Sequence, residues 1–221
     1  MPAFFDSKSK LLDLLYKDSK TKKNNFEHWQ LTDDRVILFD ADKSRNFFVS
    51  FQNCGYTRFN APTENYARDQ ILKYAGEVFD YFGDAIETVL RVGYRETRVN
   101  PVEDFDSLSQ RLIQNFVKTD GSFFKSLNCP MYDVALFPMV FKHGSNKFQV
   151  TLGPMKKDQL QTVWEGGDDL PDQALFADVD YYAIQPPRPA NLRNYVAEFL
   201  SKARDVNAKI VGDLTANILN L

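Results

Sequence analysis

The stretch RVILFDADKSRNFFVSFQNCGYTRF, residues 35–59, decides the fold because it predicts a β-hairpin. In its second arm every second residue is apolar, as is typical of a strand: Phe47, Val49 and Phe51. The first arm, from Val36 to Phe39, is short and apolar, and the polar residues DADKSRN between the two arms favour a turn.

The same order of predicted elements occurs twice along the chain. A helix, a strand and a second helix follow the hairpin, over residues 63–83, 88–99 and 106–118. The second half then gives a hairpin, an irregular insert, a strand and a long helix, over 132–152, 153–176, 177–184 and from about Pro189.

These patterns predict one α+β domain over residues 26–221, preceded by an N-terminal arm and linker over 1–25. We expect a mostly antiparallel sheet made from two hairpin-plus-strand halves, at about 30–120 and 130–221. Helices should cover one face of the sheet, and a long helix should end the chain.

Composition limits the class of protein. The 221 residues are 43% hydrophobic and include 19 Phe, which is ample for a buried core. A formal net charge of −3 disfavours general binding to nucleic acid. The two cysteines, Cys54 and Cys129, lie far apart and are more typical of buried thiols in a reducing compartment, although a disulfide between them stays open.

The N-terminus and the apolar runs bear on location. MPAFFDSKSKLL lacks a basic start followed by a long apolar run, and no stretch approaches 18 apolar residues. We therefore expect a cytoplasmic protein of the bacterial type that has no membrane partner.

The strand RVGYRETRV, residues 91–99, is the first candidate site. Arg91 and Arg95 fall on one face with Gly93 between them, and a guanidinium fork suits a carboxylate or a phosphate. The pattern predicts a site for a small anion or a nucleotide with these binding residues: Arg91, Tyr94, Arg95 and Arg98. The alternative is a solvated strand whose arginines pair with Asp178 or Asp180 on a neighbouring strand.

Acidic residues form a second candidate. Two Asp-x-Asp pairs put carboxylates on one strand face: Asp40 with Asp42, and Asp178 with Asp180. Mg²⁺ needs oxygen ligands held together, but such pairs have no metal-specific spacing, so solvated carboxylates are the preferred interpretation. A metal-dependent phosphoesterase is the last alternative. We predict no metal, no cofactor and no catalytic residue, because neither histidine, His28 or His143, lies near a catalytic motif.

The last helix is the longest periodic segment. Its apolar residues step by 4, 3, 4, 3 and 4 positions: Leu192, Val196, Phe199, Ala203, Val206 and Ile210. A continuous helix of ~30 residues would span roughly 45 Å, so part of it would project or meet another subunit unless Gly212 ends it. Asp213 and Asn217 weaken a coiled-coil seam, so packing within the domain is the first interpretation of this helix and a homodimer through it is the alternative. We predict partner contacts at Phe199, Val206 and Ile210, and a further contact at Trp164 of the insert.

The strand RVGYR and the order of elements after about Val36 resemble a sporadically distributed bacterial family of uncharacterised proteins. In that family a hairpin and a helix precede a strand of the type R-V-G-L-R-Y, and a D-x-D-x-Y-like strand precedes a long C-terminal helix. The matching residues here are Arg91, Val92, Gly93, Tyr94, Arg95, Asp178, Asp180 and Tyr181, with the helix after Pro189. The resemblance implies the α+β fold and no particular activity.

Taken together, these features predict a non-enzymatic cytoplasmic binding or adaptor protein that engages a protein partner. Binding of a small anion or nucleotide through Arg91 and Arg95 is the first alternative.

Overall fold

A computed structural model describes the chain in these ranges: residues 2–20, 26–61, 63, 66–83, 86, 88–116, 136–164, 169–186 and 192–219. The chain divides into two compact units. One consists of residues 1–90 and 185–201, and the other of residues 91–184 and 202–221. The predicted α+β class, the antiparallel pairing and the long C-terminal helix are confirmed, and the described strands form two four-stranded sheets.

The first unit contains a meander in which each strand pairs with the next along the chain. Its strands are β1 (His28–Leu31), β2 (Arg35–Phe39), β3 (Arg45–Ser50) and β4 (Cys54–Arg58), all antiparallel. The helices are α1 (Pro2–Lys20) and α2 (Tyr66–Phe82). A short turn joins β2 to β3, and Lys43 in that turn has φ 55°.

Alternate side chains along β2 and β3 point to the buried face of this sheet. The buried cluster takes Val36 and Leu38 from β2, Phe47 and Val49 from β3, and side chains from both helices: Leu11, Leu15, Tyr74 and Val78. Helix α1 is therefore a core element of the first unit, where an arm separate from the domain was expected. Its Leu-rich stretch buries one side because the sheet offers an apolar face to cover.

The second unit has the strand order β5-β8-β7-β6, again antiparallel. Its strands are β5 (Arg91–Pro101), β6 (Phe137–His143), β7 (Asn146–Lys156) and β8 (Gln173–Ile184). The central strand β8 pairs with β5 on one side and with β7 on the other. Pro138 lies in the edge strand β6, as its missing N–H predicts.

Helices lie on both faces of the second sheet. Helix α3 (Phe105–Phe116) and the end of α5 (Leu192–Leu214) pack on one face through Leu108, Leu112 and Leu214. Helix α4 (Lys157–Val163) packs on the other face through Leu160, together with Met155 and Phe176. The predicted irregular insert is thus largely ordered: α4 and the ends of β7 and β8 occupy most of it.

Two predictions about the order of elements differ from the structure. Strand β5 was assigned to the first half of a repeat, but it pairs over its whole length with β8 of the second half. Pairing between strands that are distant in sequence depends on both partners, so the local pattern of β5 could not show which strand it would pair with. Helix α5 continues through Gly212 and ends in a π-helical turn, Thr215–Leu219. Arg111 Nη1 donates to the carbonyls of Ile218 and Leu219, which caps this end.

In the described part of the chain, no helix combines the length and the apolar composition needed to cross a membrane.

Candidate functional site

The predicted arginine site lies on one face of β5. The register sets Arg95 opposite Asp180 and Thr97 opposite Asp178, so the arginines and the two aspartates share a face. Arg95 donates from Nε and Nη2 to the two carboxylate oxygens of Asp178, at 2.8 and 2.9 Å, and Thr97 Oγ1 donates to the same carboxylate at 2.9 Å. Arg91 Nη2 donates to Asp180 Oδ2 at 2.5 Å.

These contacts are the ion pairs that the sequence left open as an alternative. The Asp178 side chain is 11% exposed whereas that of Arg95 is 67% exposed, so the guanidinium covers a carboxylate that is largely out of water. An anionic ligand would have to compete with a carboxylate at each arginine. A Cβ on Gly93 would lie 3.5 Å from Arg91 Nη2 and 3.6 Å from Asp180 Oδ1, so the ion pair already occupies the space beside the glycine.

The other two predicted ligand residues lie on the opposite face of β5. Tyr94 is paired across the strands with Tyr181, and Arg98 Nε donates to Glu96 Oε1 at 2.6 Å on that same side. The four residues predicted for one anion site are therefore divided two and two between the faces of the sheet. Alternation along a strand requires this division.

The carboxylates predicted as metal ligands are engaged with arginines or with the backbone. Asp178 and Asp180 bind arginines, Asp40 binds Arg45, and Asp42 accepts from the backbone N–H of Ser44 at 2.8 Å. Among the residues that the structure describes, no group of three or more His, Cys, Asp and Glu side chains is placed to hold a metal ion.

Of the four predicted partner residues, one is buried and three are half-buried. Phe199 is 5% exposed, and Trp164 is half-buried against the cluster around Leu160. Ile210 is half-buried against the core cluster of the second unit, and Val206 is also half-buried. The apolar stripe of α5 therefore serves largely to pack the helix within its own chain.

The histidines lie at exposed positions on the strands. His143 is at the end of β6, where its Nδ1 is 3.3 Å from Tyr181 Oη. His28 is in β1, and its ring centroid is 5.5 Å from that of Phe39.

An apolar surface on the first sheet was not predicted. Ile37, Phe39 and Phe48 point away from the face that α1 and α2 cover, and each is half-buried. They line an open cavity of about 330 Å³ whose other lining residues are Gln30, Arg35, Lys43 and Asn46. We call these three side chains the open face. The alternation in β2 and β3 contained this signal, but the sequence did not reveal which face the helices would cover.

Phe48 is held in place by the neighbouring strand. Gly55 lies opposite it in β4, and a Cβ at Gly55 would come within 2.7 Å of the Phe48 ring. The ring therefore lies over the glycine, which fixes its position on the open face.

A second cavity, of about 390 Å³, lies at the end of the same sheet and is polar. In its wall the buried Arg45 donates from Nε and Nη2 to Asp40, at 2.7 and 2.8 Å, and Arg58 Nη1 donates to Ser44 Oγ at 2.6 Å. Burial alone would lower the pKa of Arg45, but hydrogen bonds and the charge of Asp40 raise it above its ordinary value. The arginine stays charged, and this pair joins the β2–β3 turn to the core.

Cys54 carries a free thiol in β4. Burial raises the pKa of this thiol to about 11, so it is protonated at neutral pH and unreactive as a nucleophile. Cys129 lies outside the described residues.

Comparison with known proteins finds no family model, no curated protein and no solved structure that matches this chain. The resemblance drawn from RVGYR and the aspartate strand therefore rests on those residues alone.

Proposed function

We propose that this protein is a cytoplasmic adaptor, without catalytic activity of its own, that binds a protein partner through the open face of its first sheet. One observation carries the proposal: Ile37, Phe39 and Phe48 form an apolar centre outside the core, surrounded by polar side chains. Protein interfaces combine an apolar, aromatic-rich centre with a polar rim in this way.

The rigidity of the open face supports the proposal. Two paired strands carry its side chains, and their other face is anchored by the buried residues Val36, Leu38, Phe47 and Val49. A partner that binds there meets a preformed surface, which lowers the entropy lost on binding. The cavity of about 330 Å³ would accept an aliphatic or aromatic side chain of the partner.

The free thiol of Cys54 supports the cytoplasmic part of the proposal. Free cysteines are common in a reducing compartment, whereas proteins of oxidising compartments tend to pair theirs.

The proposal can be tested by quantitative capture with variants of the open face. The tagged wild-type protein would be compared with the Ile37→Ser and Phe39→Ser variants in extract of the native host. We expect one protein to be retained in near-equal molar amount by the wild type and to fall at least tenfold with each variant.

Val140→Ser is the matched control, since Val140 is 61% exposed and equally apolar but lies in the second sheet. This variant should retain the partner fully. Thermal unfolding of each variant would establish that the fold is intact. Full retention by both open-face variants, or no stoichiometric protein on any of the baits, would contradict the proposal.

A further inference from the structure

The outer edge of β5 is long and regular. The strand runs from Arg91 to Pro101 and pairs residue for residue with β8, from Ile184 back to Ala174, without a bulge. No described strand pairs with its other side. At about 3.3 Å per residue, the strand offers roughly 35 Å of backbone edge.

This edge carries charged side chains but lacks two other features that block strand addition, an internal proline and a bulge. The opposite edge strand, β6, has Pro138 near its start and Lys142 near its end. In β5 the only proline is Pro101, the last residue of the strand. A long edge without an internal proline or a bulge is a template for another strand.

We propose that a second copy of this chain binds along this edge, so that the two β5 strands pair antiparallel about a two-fold axis at Thr97. Such an axis, perpendicular to the sheet, keeps like faces together, so residues opposite each other must lie on the same face of β5. This condition leaves only a few registers to compare.

The charges on the strand disfavour three registers near its centre and favour the one between them. An axis at Arg95, Glu96 or Arg98 would place that residue opposite its own copy, and like charges opposite each other are destabilising. An axis at Thr97 instead places Glu96 opposite Arg98 of the second copy, and Arg98 opposite Glu96 of the second copy. Thr97 then meets Thr97, a favourable cross-strand pair.

The side chains are already arranged for this pairing. Glu96 and Arg98 form an ion pair within one chain and remain partly exposed, at 23% and 38%. Across the two-fold axis the two ion pairs would lie side by side, with charges of alternating sign. The four-stranded sheets that contain β5 in the two copies would become one sheet of eight strands. This surface is different from the open face, so the inference does not depend on the proposed function.

Two charge variants and their mixture test the pairing. Glu96→Lys gives a strand with two positive charges at these positions, and Arg98→Glu gives a strand with two negative charges. We expect the wild type to sediment with twice the 25.5 kDa mass of one chain, and each variant alone with half the wild-type mass. An equimolar mixture of the two variants should regain the dimer mass, because the two positive side chains of one strand would face the two negative side chains of the other.

Lys142→Glu on the edge strand β6 is the control for a charge reversal elsewhere, and it should remain a dimer. Circular dichroism of each variant would exclude unfolding as the cause of a lower mass. The inference is overturned if the wild type is a monomer at all concentrations, if the single variants stay dimeric, or if the mixed variants stay monomeric. If the Glu96–Arg98 ion pair acts only within one chain, mixing the two variants would not restore the dimer.

Discussion

Asp40 forms a largely buried ion pair with Arg45 in the first unit. Its side chain is 15% exposed and that of its partner Arg45 is 7% exposed, so neither charge is well solvated. Asp40→Asn would remove the carboxylate that accepts two hydrogen bonds from the buried guanidinium. Breaking a buried pair of this kind costs on the order of 3–5 kcal/mol, and we expect the free energy of unfolding in urea to fall by about 3 kcal/mol.

Asp34→Asn is the matched comparison for this prediction. Asp34 also binds an arginine, Arg35, but both side chains are 45% exposed. Water can solvate either charge when the other is removed, so the free energy of unfolding should fall much less than in Asp40→Asn. If the two variants lost the same free energy of unfolding, burial would not determine how much each ion pair contributes to stability.

The same surface pair predicts a pH dependence. Hydrogen bonds from Arg35 and then Thr32 lower the pKa of Asp34 to about 2, below its ordinary 3.8. Since the folded pKa is the lower one, the ionised carboxylate contributes stability above pH 3.8 that is lost as the pH falls toward 2. Arg35→Gln should raise the pKa, but not fully to its ordinary value, because Thr32 still donates to Asp34.

Carbon-13 NMR of the side-chain carboxyl groups would measure this titration. Asp104 is an internal reference, because its pKa is lowered by the backbone and side chain of Ser107, far along the chain from Arg35. A titration of Asp34 that is unchanged in Arg35→Gln would contradict the assignment.

At the scale of elements, helix α5 continues through a glycine that it does not require. Gly212 lies inside the helix, and a Cβ there would meet no atom within 4 Å. Gly212→Ala should therefore raise the free energy of unfolding by about 1 kcal/mol, the difference between the two residues in a helix interior.

Gly144 in the β6–β7 turn supplies the opposite case. It also has open space around it, but its φ is +63°, which an alanine adopts only with strain. Gly144→Ala should lower the unfolding free energy by about 1 kcal/mol. Stabilisation by both substitutions, measured in urea, would contradict the role of φ in this comparison.

Elements with a strong local pattern could be predicted from the sequence, and elements that depend on a distant partner could not. The hairpin of β2 and β3 and helices α2 and α3 occur close to the predicted residues, because their apolar residues repeat at strand or helix spacing along the whole element. Strand β1, HWQL, has four exposed residues and becomes a strand through its pairing with β2. Four exposed residues show no alternation of apolar and polar side chains from which a strand paired with β2 could be predicted.

The candidate sites follow the same division. The pairing of Arg91 and Arg95 with the aspartates of β8 could be foreseen as an alternative. The sequence gives the charges, and alternation along a strand gives the face on which each side chain lies. The open face could not be foreseen. Which of two apolar faces of β2 and β3 stays uncovered depends on where Leu11 and Leu15 of α1 pack.

At the scale of the whole molecule, the path of the chain through its two units is interleaved. The chain leaves the first unit after residue 90, returns to it for residues 185–201, and ends in the second unit. The returning stretch begins α5, where Arg193 Nη1 donates to Asp80 of α2 at 3.0 Å and Arg68 Nη1 donates to Ser201 Oγ at 3.5 Å. Neither unit is a continuous segment of sequence.

This path has a consequence during synthesis on the ribosome. The first sheet and α2 emerge early, but the stretch that completes their unit follows only after residues 91–184. At ~5–20 residues per second, that delay is roughly 5–20 s. Throughout it, the surface of α2 around Asp80 is without its later neighbour Arg193, and the nascent chain is open there to a chaperone. The first unit to begin folding is therefore not finished until residue 201 has left the exit tunnel.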